Sequence, residues 1–221
     1  MLLDCVELET GPAPAWTVLW LHGLGADGHD FEPIVPELAR PHWPALRFVF
    51  PHAPIRPVTI NGGMRMRAWY DIVGMDFATR AEAAGIEESV AQVEALAARE
   101  AARGVPASRL LLAGFSQGGA IALAAGLRRS EPLAGIVALS TYLPGGQAAA
   151  ARRHPDAVAQ PVFFAHGEGD TVIPVQHGLA SAQALEQAGF EVAWHRYPMA
   201  HQVCAQEIAD LGDWLERRLA G

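Results

Sequence analysis

The sequence predicts an α/β protein with a mostly parallel central sheet and helices on both faces. Strand-like and helix-like segments alternate along the chain, which is the pattern of such sheets. No linker, repeat or charge block divides the 221 residues, and 51% of them are hydrophobic, enough for one large core. We therefore expect a single domain over residues 1–221.

The strands are predicted where short apolar or β-branched runs end in Gly, Pro or His. These runs are residues 17–21, 47–50, 110–115, 135–140, 162–165 and 192–197. Helices are predicted where apolar residues recur at helical spacing. These segments are residues 85–103, 117–128, 176–188 and 203–219. Ligands bind such sheets outside the carboxyl ends of the strands, so polar residues just after the strands are the candidates for a functional site.

Composition and charge argue against several classes of function. The net charge is −8 without a cluster of basic residues, so we expect no nucleic-acid partner. The first ten residues carry acids where a signal peptide carries bases, and no apolar run is long enough to span a membrane. Cys5 and Cys204 are too few for a disulfide framework, and the scattered histidines show no metal-ligand spacing. A cytoplasmic enzyme or binding protein without a metal fits best.

The segment GFSQG places Ser116 where the pattern changes from strand to helix. A nucleophile elbow has this form, because its serine sits on a sharp turn and its flanking residues must be small. Gly114 and Gly118 meet that requirement. The alternative is a glycine-rich turn that contains a serine by chance.

A reactive serine needs a base, best a histidine oriented by a carboxylate, and hydrolases with this elbow have the chain order Ser, acid, His. Asp170 and His201 follow later predicted strands in that order. Glu168 competes with Asp170, and His195 competes with His201. We favour Asp170 because the apolar turn after it would bury and orient it, and His201 because it lies in a loop rather than within a strand. His22 and His166, each before a glycine at a strand end, are expected to brace backbone turns.

An acyl-transfer site also needs donors for the oxyanion of the tetrahedral intermediate. The residue after the nucleophile supplies one backbone N–H, here that of Gln117. The glycine-rich segment HGLGADG can bring a second N–H close, and Leu24 is the candidate. The same glycines are also compatible with a simple turn ahead of a helix near residues 30–39.

The segment at residues 61–77 is rich in methionine and aromatic residues without a clean period. Such side chains suit the wall of a groove for an acyl chain, although core packing or a dimer surface is nearly as good an interpretation. The candidate substrate-binding residues are Met64, Met66, Trp69, Ile72 and Met75.

Six motifs, in order, resemble those of bacterial carboxylesterases related to acyl-protein thioesterases and small lysophospholipases. They are LHGLGADGHDF, FPHAP, RAWYD, GFSQGGA, HGEGDTVIP and AHQV, spread over nearly the whole chain. The resemblance implies an α/β-hydrolase fold without a large lid domain. It also implies catalytic roles for Ser116, Asp170 and His201, and oxyanion donors at Leu24 and Gln117. Members of this family are commonly cytosolic and often dimeric, so a homodimer is a further expectation.

These observations predict a cofactor-independent serine carboxylesterase that hydrolyses short to medium chain acyl esters through an acyl-enzyme. The expected partner is a small-molecule ester or thioester. One alternative is an acyl-protein thioesterase or lysophospholipase that acts on longer acyl chains. A second is a binding protein with a hydrolase fold and no catalytic activity.

Overall fold

The computed structural model describes residues 2–77 and 79–220. The strands are β1 (Cys5–Glu9), β2 (Trp16–Leu21), β3 (Leu46–Pro51), β4 (Ile55–Val58), β5 (Met64–Arg67), β6 (Leu110–Phe115), β7 (Gly135–Leu139), β8 (Val162–Gly167) and β9 (Val192–Tyr197). The helices are α1 (Val35–Leu38), α2 (Ala83–Ala102), α3 (Gln117–Gly126), α4 (Gly146–Ala151), α5 (Val175–Gln187) and α6 (Ala205–Leu219). All the predicted strands and helices are confirmed, with bounds that differ by two residues at most.

The central sheet has the strand order β1-β3-β2-β6-β7-β8-β9. Strand β1 pairs antiparallel with β3, and every other neighbouring pair in this sheet is parallel. The predicted mostly parallel sheet is therefore confirmed, as is the absence of a large lid over the strand ends in the part of the chain that the structure describes. Because the strands are parallel, the loops after β2, β6, β8 and β9 open at one edge of the sheet.

Alternation along each strand divides the core into two layers, since successive side chains point to opposite faces. Leu19 and Leu21 of β2 pack on the face covered by α2, α3 and α5. Val18 and Trp20 pack on the other face with residues of α1 and α6. This arrangement confirms helices on both faces and buries the sheet completely at its centre.

Two strand regions have no counterpart in the sequence-based prediction. Strand β1 is an edge strand whose Glu7 and Glu9 alternate with apolar residues, so its apolar run is interrupted. Arg103 and Arg47 pair with these carboxylates.

Strands β4 and β5 form a separate antiparallel hairpin within the methionine-rich region. Its turn depends on Gly62 and Gly63, which have φ of 66° and 77°, and its short strands show too few residues for a period to be recognised.

Candidate active site

The nucleophile elbow predicted around Ser116 is present between β6 and α3. Ser116 has φ 54° and ψ −119°, a strained conformation for a residue with a side chain. A Cβ atom on Gly114 would lie 2.4 Å from the backbone of Gly118, and one on Gly118 would lie 2.3 Å from the Leu21 carbonyl oxygen. The two glycines are therefore required by close backbone contact, which excludes a chance glycine-rich turn.

The strained turn is held from the neighbouring strand. The Ser116 N–H donates to the Leu139 carbonyl at 2.9 Å. The Thr141 hydroxyl donates to the Ser116 carbonyl at 2.6 Å, and the Thr141 side chain lies so close to Gly119 that a Cβ there would clash. Thr141 was not singled out from the sequence, since a threonine after a buried strand carries no signal of this contact.

His201 joins the serine to the acid. Its Nε2 lies 2.9 Å from the Ser116 Oγ, and its Nδ1 lies 2.7 Å from the Asp170 Oδ2. A carboxylate accepts from Nδ1–H, so Nε2 is left as the acceptor for the serine proton. The structure thus brings together the three residues that the sequence placed after three different strands.

Asp170 is buried but well supplied with hydrogen bonds. Its Oδ1 accepts from the N–H groups of Val172 and Ile173, both at 2.9 Å. Burial by itself would raise the pKa of Asp170, but His166, His201 and the Ile173 N–H outweigh burial and hold this pKa well below its ordinary value. The acid is therefore ionised when it faces His201.

The competing residues lie elsewhere. The Glu168 side chain is half exposed and faces Arg196 at 3.9 Å. The His195 ring stacks on Phe163 at a centroid distance of 4.8 Å and points away from the serine, on the face of β9 toward Trp214 and α6. Neither residue contacts Ser116.

His166 braces the turn that carries the acid, as its position before a glycine predicts. Its Nε2 lies 2.7 Å from the Ile173 carbonyl oxygen, to which it donates, and 3.4 Å from the Asp170 Oδ2. Its Nδ1 is buried and has no hydrogen-bond partner among the described residues. A proton on Nε2 fits this environment, since Nδ1 lies against Gly178.

Leu24 and Gln117, the predicted backbone donors, both line the cavity beside Ser116. Gln117 is the first residue of α3, where an N–H has no intrahelical acceptor and lies at the positive end of the helix dipole. The Leu24 N–H donates to no acceptor in residues 2–77 or 79–220, while the neighbouring Gly25 N–H donates to the Arg67 carbonyl at 2.9 Å. Both predicted donors are therefore free to bind an oxyanion. The helix that is expected near residues 30–39 is also present, as the short α1.

His22 holds the Leu24 loop. Its Nε2 accepts from the Ala53 N–H at 3.1 Å, so the proton lies on Nδ1, which donates to the Gly23 carbonyl at 2.7 Å. Burial lowers the pKa of His22 to about 4, so the ring is neutral at neutral pH. This confirms the predicted bracing role.

Trp69 and Gln117 connect the loop that carries Leu24 to the start of α3. The Trp69 indole N–H donates to the His22 carbonyl at 2.9 Å, and the Trp69 backbone N–H donates to the Gln117 side-chain oxygen at 2.8 Å. The Gln117 amide then donates to the Tyr70 carbonyl at 2.8 Å. Trp69 has no exposed surface, so its predicted place in the groove wall is corrected to a buried brace.

A cavity of about 270 Å³ opens beside the serine. It is lined by Gly23, Leu24, Ala26, Asp30, Tyr70, Ile72, Arg80, Phe115, Ser116, Gln117, Val172 and His201. Ile72 is therefore the one predicted wall residue that lines it. Met64 and Met75 are 63% and 78% exposed and lie outside it, and Met66 packs against the core with its sulfur near Gly25. The hairpin holds Met64 and Met66 outside the cavity, and Met75 lies outside it in the loop that follows, which corrects their predicted role.

The family model for phospholipases and carboxylesterases matches residues 5–219. The chain belongs to this family. Among its curated relatives, the acyl-protein thioesterase 1 of Mycosarcoma maydis is 37% identical, with 96% of this chain and 95% of the relative covered. That of Neurospora crassa is 38% identical, with 92% and 86% covered.

Solved structures agree with this family membership. The crystal structure of Arabidopsis thaliana SOBER1 matches with a TM-score of 0.85 and 30% identity, covering 92% of this chain and 99% of the other. The crystal structure of esterase PE8 matches with a TM-score of 0.86 and 28% identity, covering 99% and 100%. The α/β-hydrolase fold and a hydrolase of the esterase and thioesterase type are therefore confirmed. The predicted bacterial branch is not supported, because the curated relatives named above are fungal.

Residues 2–77 and 79–220 contain neither a metal-ligand cluster nor a helix that could span a membrane. No group of three or more His, Cys, Asp or Glu residues is placed there to hold a metal ion. None of the helices described is both long enough and apolar enough to cross a membrane.

Proposed function

We propose that this family member is a serine hydrolase that cleaves acyl thioesters and esters, with Ser116 as nucleophile, His201 as base and Asp170 as the orienting acid. The observation that carries the proposal is the continuous hydrogen-bonded chain from Ser116 Oγ through His201 to Asp170. Leu24 and Gln117 would supply the oxyanion hole. A binding protein without activity does not require these groups to be aligned.

The geometry supports a two-step reaction. Ser116 Oγ attacks the acyl carbon while its proton passes to His201 Nε2, and the oxyanion is held by the two N–H groups. The carbon–sulfur or carbon–oxygen bond then breaks, and His201 returns the proton to the leaving thiol or alcohol. A water molecule repeats the sequence on the acyl-enzyme, giving the free acid and the original serine.

The thioester is the favoured substrate class because several relatives, from different fungi, are named acyl-protein thioesterases. A carboxylesterase for short to medium chain esters is the second candidate. It is favoured by the small size of the cavity at Ser116, about 270 Å³, which is slightly below the usual range for ligand pockets.

A paired substrate series separates these candidates. Thioesters of a cysteine-containing peptide and the matching serine esters would carry acyl chains of four, eight and sixteen carbons, and kcat/KM would be corrected for uncatalysed hydrolysis. Higher corrected values for the thioesters support the proposal, and a short-chain ester preference supports the second candidate. The matched control is Ser116→Ala, and failure of the folded wild type to cleave any member of the series would contradict both.

The single domain over residues 1–221, the homodimer and the cytoplasmic location remain part of this proposal. Size measurement in solution and limited proteolysis test the first two. Localisation of the tagged full-length protein in its own cell tests the third.

A further inference from the structure

Arg80 is the single arginine or lysine among the described residues that line the Ser116 cavity. No motif includes it, and the mechanism above does not use it. We infer that Arg80 binds a carboxylate at the far end of a short acyl group, so that half-esters or half-thioesters of dicarboxylic acids are the preferred substrates. This inference rests on the proposed function, since it specifies the acyl part of the same reaction.

The guanidinium group of Arg80 is held in one orientation. Its Cζ lies 3.7 Å from the centroid of the Phe77 ring and 4.9 Å from that of Tyr142. Its Nε donates to the Tyr142 hydroxyl at 3.3 Å, and this hydroxyl lies 3.0 Å from that of Tyr70. Stacking on the two rings already restricts the Arg80 side chain. Binding of an anion therefore costs little further loss of side-chain conformational entropy.

The two terminal amino groups of Arg80 remain available. Within residues 2–77 and 79–220, Arg80 forms no salt bridge, and its only side-chain hydrogen bond is the one from Nε. Several other arginines form salt bridges, such as Arg47 with Glu100 and Arg128 with Glu87. A planar guanidinium with two free amino groups matches a carboxylate, which can accept two parallel hydrogen bonds.

The neighbouring cavities show which part of the substrate reaches Arg80. His201, Phe115 and Asp30 also line a cavity of about 480 Å³ that extends toward α6. The leaving group must lie on this side, because His201 protonates it. Phe77 and Tyr142, which stack on Arg80, line a different cavity of about 550 Å³ that extends along α5 and includes neither Ser116 nor His201.

The acyl group therefore points toward Arg80. Tyr70 and Ile72 line the same cavity and offer apolar surface for the methylene groups between the reacting carbonyl and the carboxylate. The small cavity volume limits this acyl group to a short chain. Asp30 carries the opposite charge at the leaving-group side and would repel an anion there, which orients the substrate further.

A pair of esters with the same number of acyl carbons tests this inference. One is mono(4-nitrophenyl) glutarate, which is anionic, and the other is 4-nitrophenyl pentanoate, which is neutral. The measured quantity is the ratio of kcat/KM for the anionic ester to that for the neutral ester, after subtraction of the rate with Ser116→Ala to remove self-cleavage of the glutarate. The wild type should give a ratio above one, and added salt should lower it.

Arg80→Gln should lower this ratio about 10- to 100-fold, as expected for loss of a hydrogen-bonded charge. Arg80→Lys should lower it less, because it keeps the charge and loses the planar group. The matched control is Arg65→Gln, which removes the same charge from the exposed strand β5 outside the cavity and should change the ratio less than twofold. A wild-type ratio below one, or equal losses on both esters in Arg80→Gln, would overturn the inference.

Failure of the proposed function gives a different result, since the wild type would then hydrolyse neither ester. Calorimetric titration of glutarate into the wild type and Arg80→Gln decides the inference in that case. Binding that is weakened at least tenfold by the substitution supports a carboxylate site at Arg80. Equal binding, or none to the wild type, contradicts it.

Discussion

In the proposed triad, the side chains that would react are the same side chains that hydrogen-bond one another, from Ser116 through His201 to Asp170. In the proposed oxyanion hole, the groups that would stabilise the oxyanion are backbone N–H groups, and buried side chains hold the backbone in place. His22 and Trp69 fix the Leu24 loop, and the Gln117 side chain connects that support to the start of α3. Damage to the triad should therefore remove a reacting group, whereas damage to the support should shift a donor without removing it.

The largest effect is expected at the nucleophile. Ser116→Ala removes the attacking hydroxyl. In a protease with the same type of catalytic triad, loss of the nucleophile lowers kcat about 10⁶-fold. His201→Ala should be comparably harmful, whereas His195→Ala should retain activity because its ring packs on Phe163. Turnover of a 4-nitrophenyl ester by the purified variants measures this, and more than a few per cent of activity in folded Ser116→Ala would refute the assignment.

The acid should show the next largest effect. Asp170→Asn would favour the wrong tautomer of His201 and should lower turnover by about 10⁴, the scale seen for the equivalent change in a protease triad. Glu168→Gln is the matched control, since its side chain is half exposed and faces Arg196. If the two variants exchanged their effects in steady-state kinetics, the acid would be misassigned.

Trp69→Phe tests the support of the oxyanion hole. The change removes the indole N–H that donates to the His22 carbonyl and keeps most of the buried ring. Removal of one oxyanion donor typically lowers kcat about 10²- to 10³-fold. A donor that is only displaced should lower kcat less, about 10- to 10²-fold.

The loss in Trp69→Phe should be equal for acetate and octanoate esters, because Trp69 has no surface in the cavity. Met75→Ala, at a residue that is 78% exposed, is the control and should stay within twofold of the wild type. A lower kcat for the octanoate ester alone would show that Trp69 contacts the acyl chain after all. Circular dichroism at the assay temperature shows whether the variant is folded.

The last expected effect is on stability rather than on rate, and it is a difference in acid sensitivity. Folding lowers the pKa of His22 from 6.5 to about 4, so the unfolded chain binds a proton more readily between these values. The free energy of unfolding should then fall as the pH drops from about 6.5 to about 4, by about 3 kcal/mol from this group. Folding also lowers the pKa of Asp170. Its contribution to the free energy of unfolding is lost only when the pH falls below the ordinary pKa of 3.8.

Urea unfolding at several pH values tests this contribution. His22→Gln lacks the titrating ring, so the stability advantage of the wild type over this variant should shrink between pH 6.5 and pH 4. Parallel curves for the two proteins would mean that the His22 ring is not buried as a neutral group.

The elements that were predicted correctly are those whose signal is local. Strand β6 and helix α3 meet at a serine between two glycines, and both the hydrophobic periods and the small residues are visible in the sequence. Strand β1 was missed because an edge strand with two paired glutamates has no continuous apolar run. The hairpin of β4 and β5 was missed because each strand has four residues.

The site residues divide in the same way. Ser116, Asp170 and His201 could be placed at strand ends because a parallel sheet brings those ends to one edge. The wall of the cavity could not be predicted from the sequence. Between residues 64 and 75 the chain passes from an exposed hairpin through a buried segment to an exposed loop. Met64 and Trp69 look equally suited to an acyl groove in the sequence, yet one is largely exposed and the other has no exposed surface.

By itself, the sequence determined the sheet, its helices, the order Ser, Asp, His and the family, because these depend on periodicity and on short motifs. Only the tertiary structure shows that Trp69 holds the His22 carbonyl, that Thr141 holds the turn at Ser116 and that Arg80 stacks between Phe77 and Tyr142. Apart from the contact between Arg80 and Phe77, these contacts join residues from distant parts of the chain. Their geometry depends on how the segments that follow β5 and β7 pack beside Ser116 and the start of α3, and no local pattern records that packing.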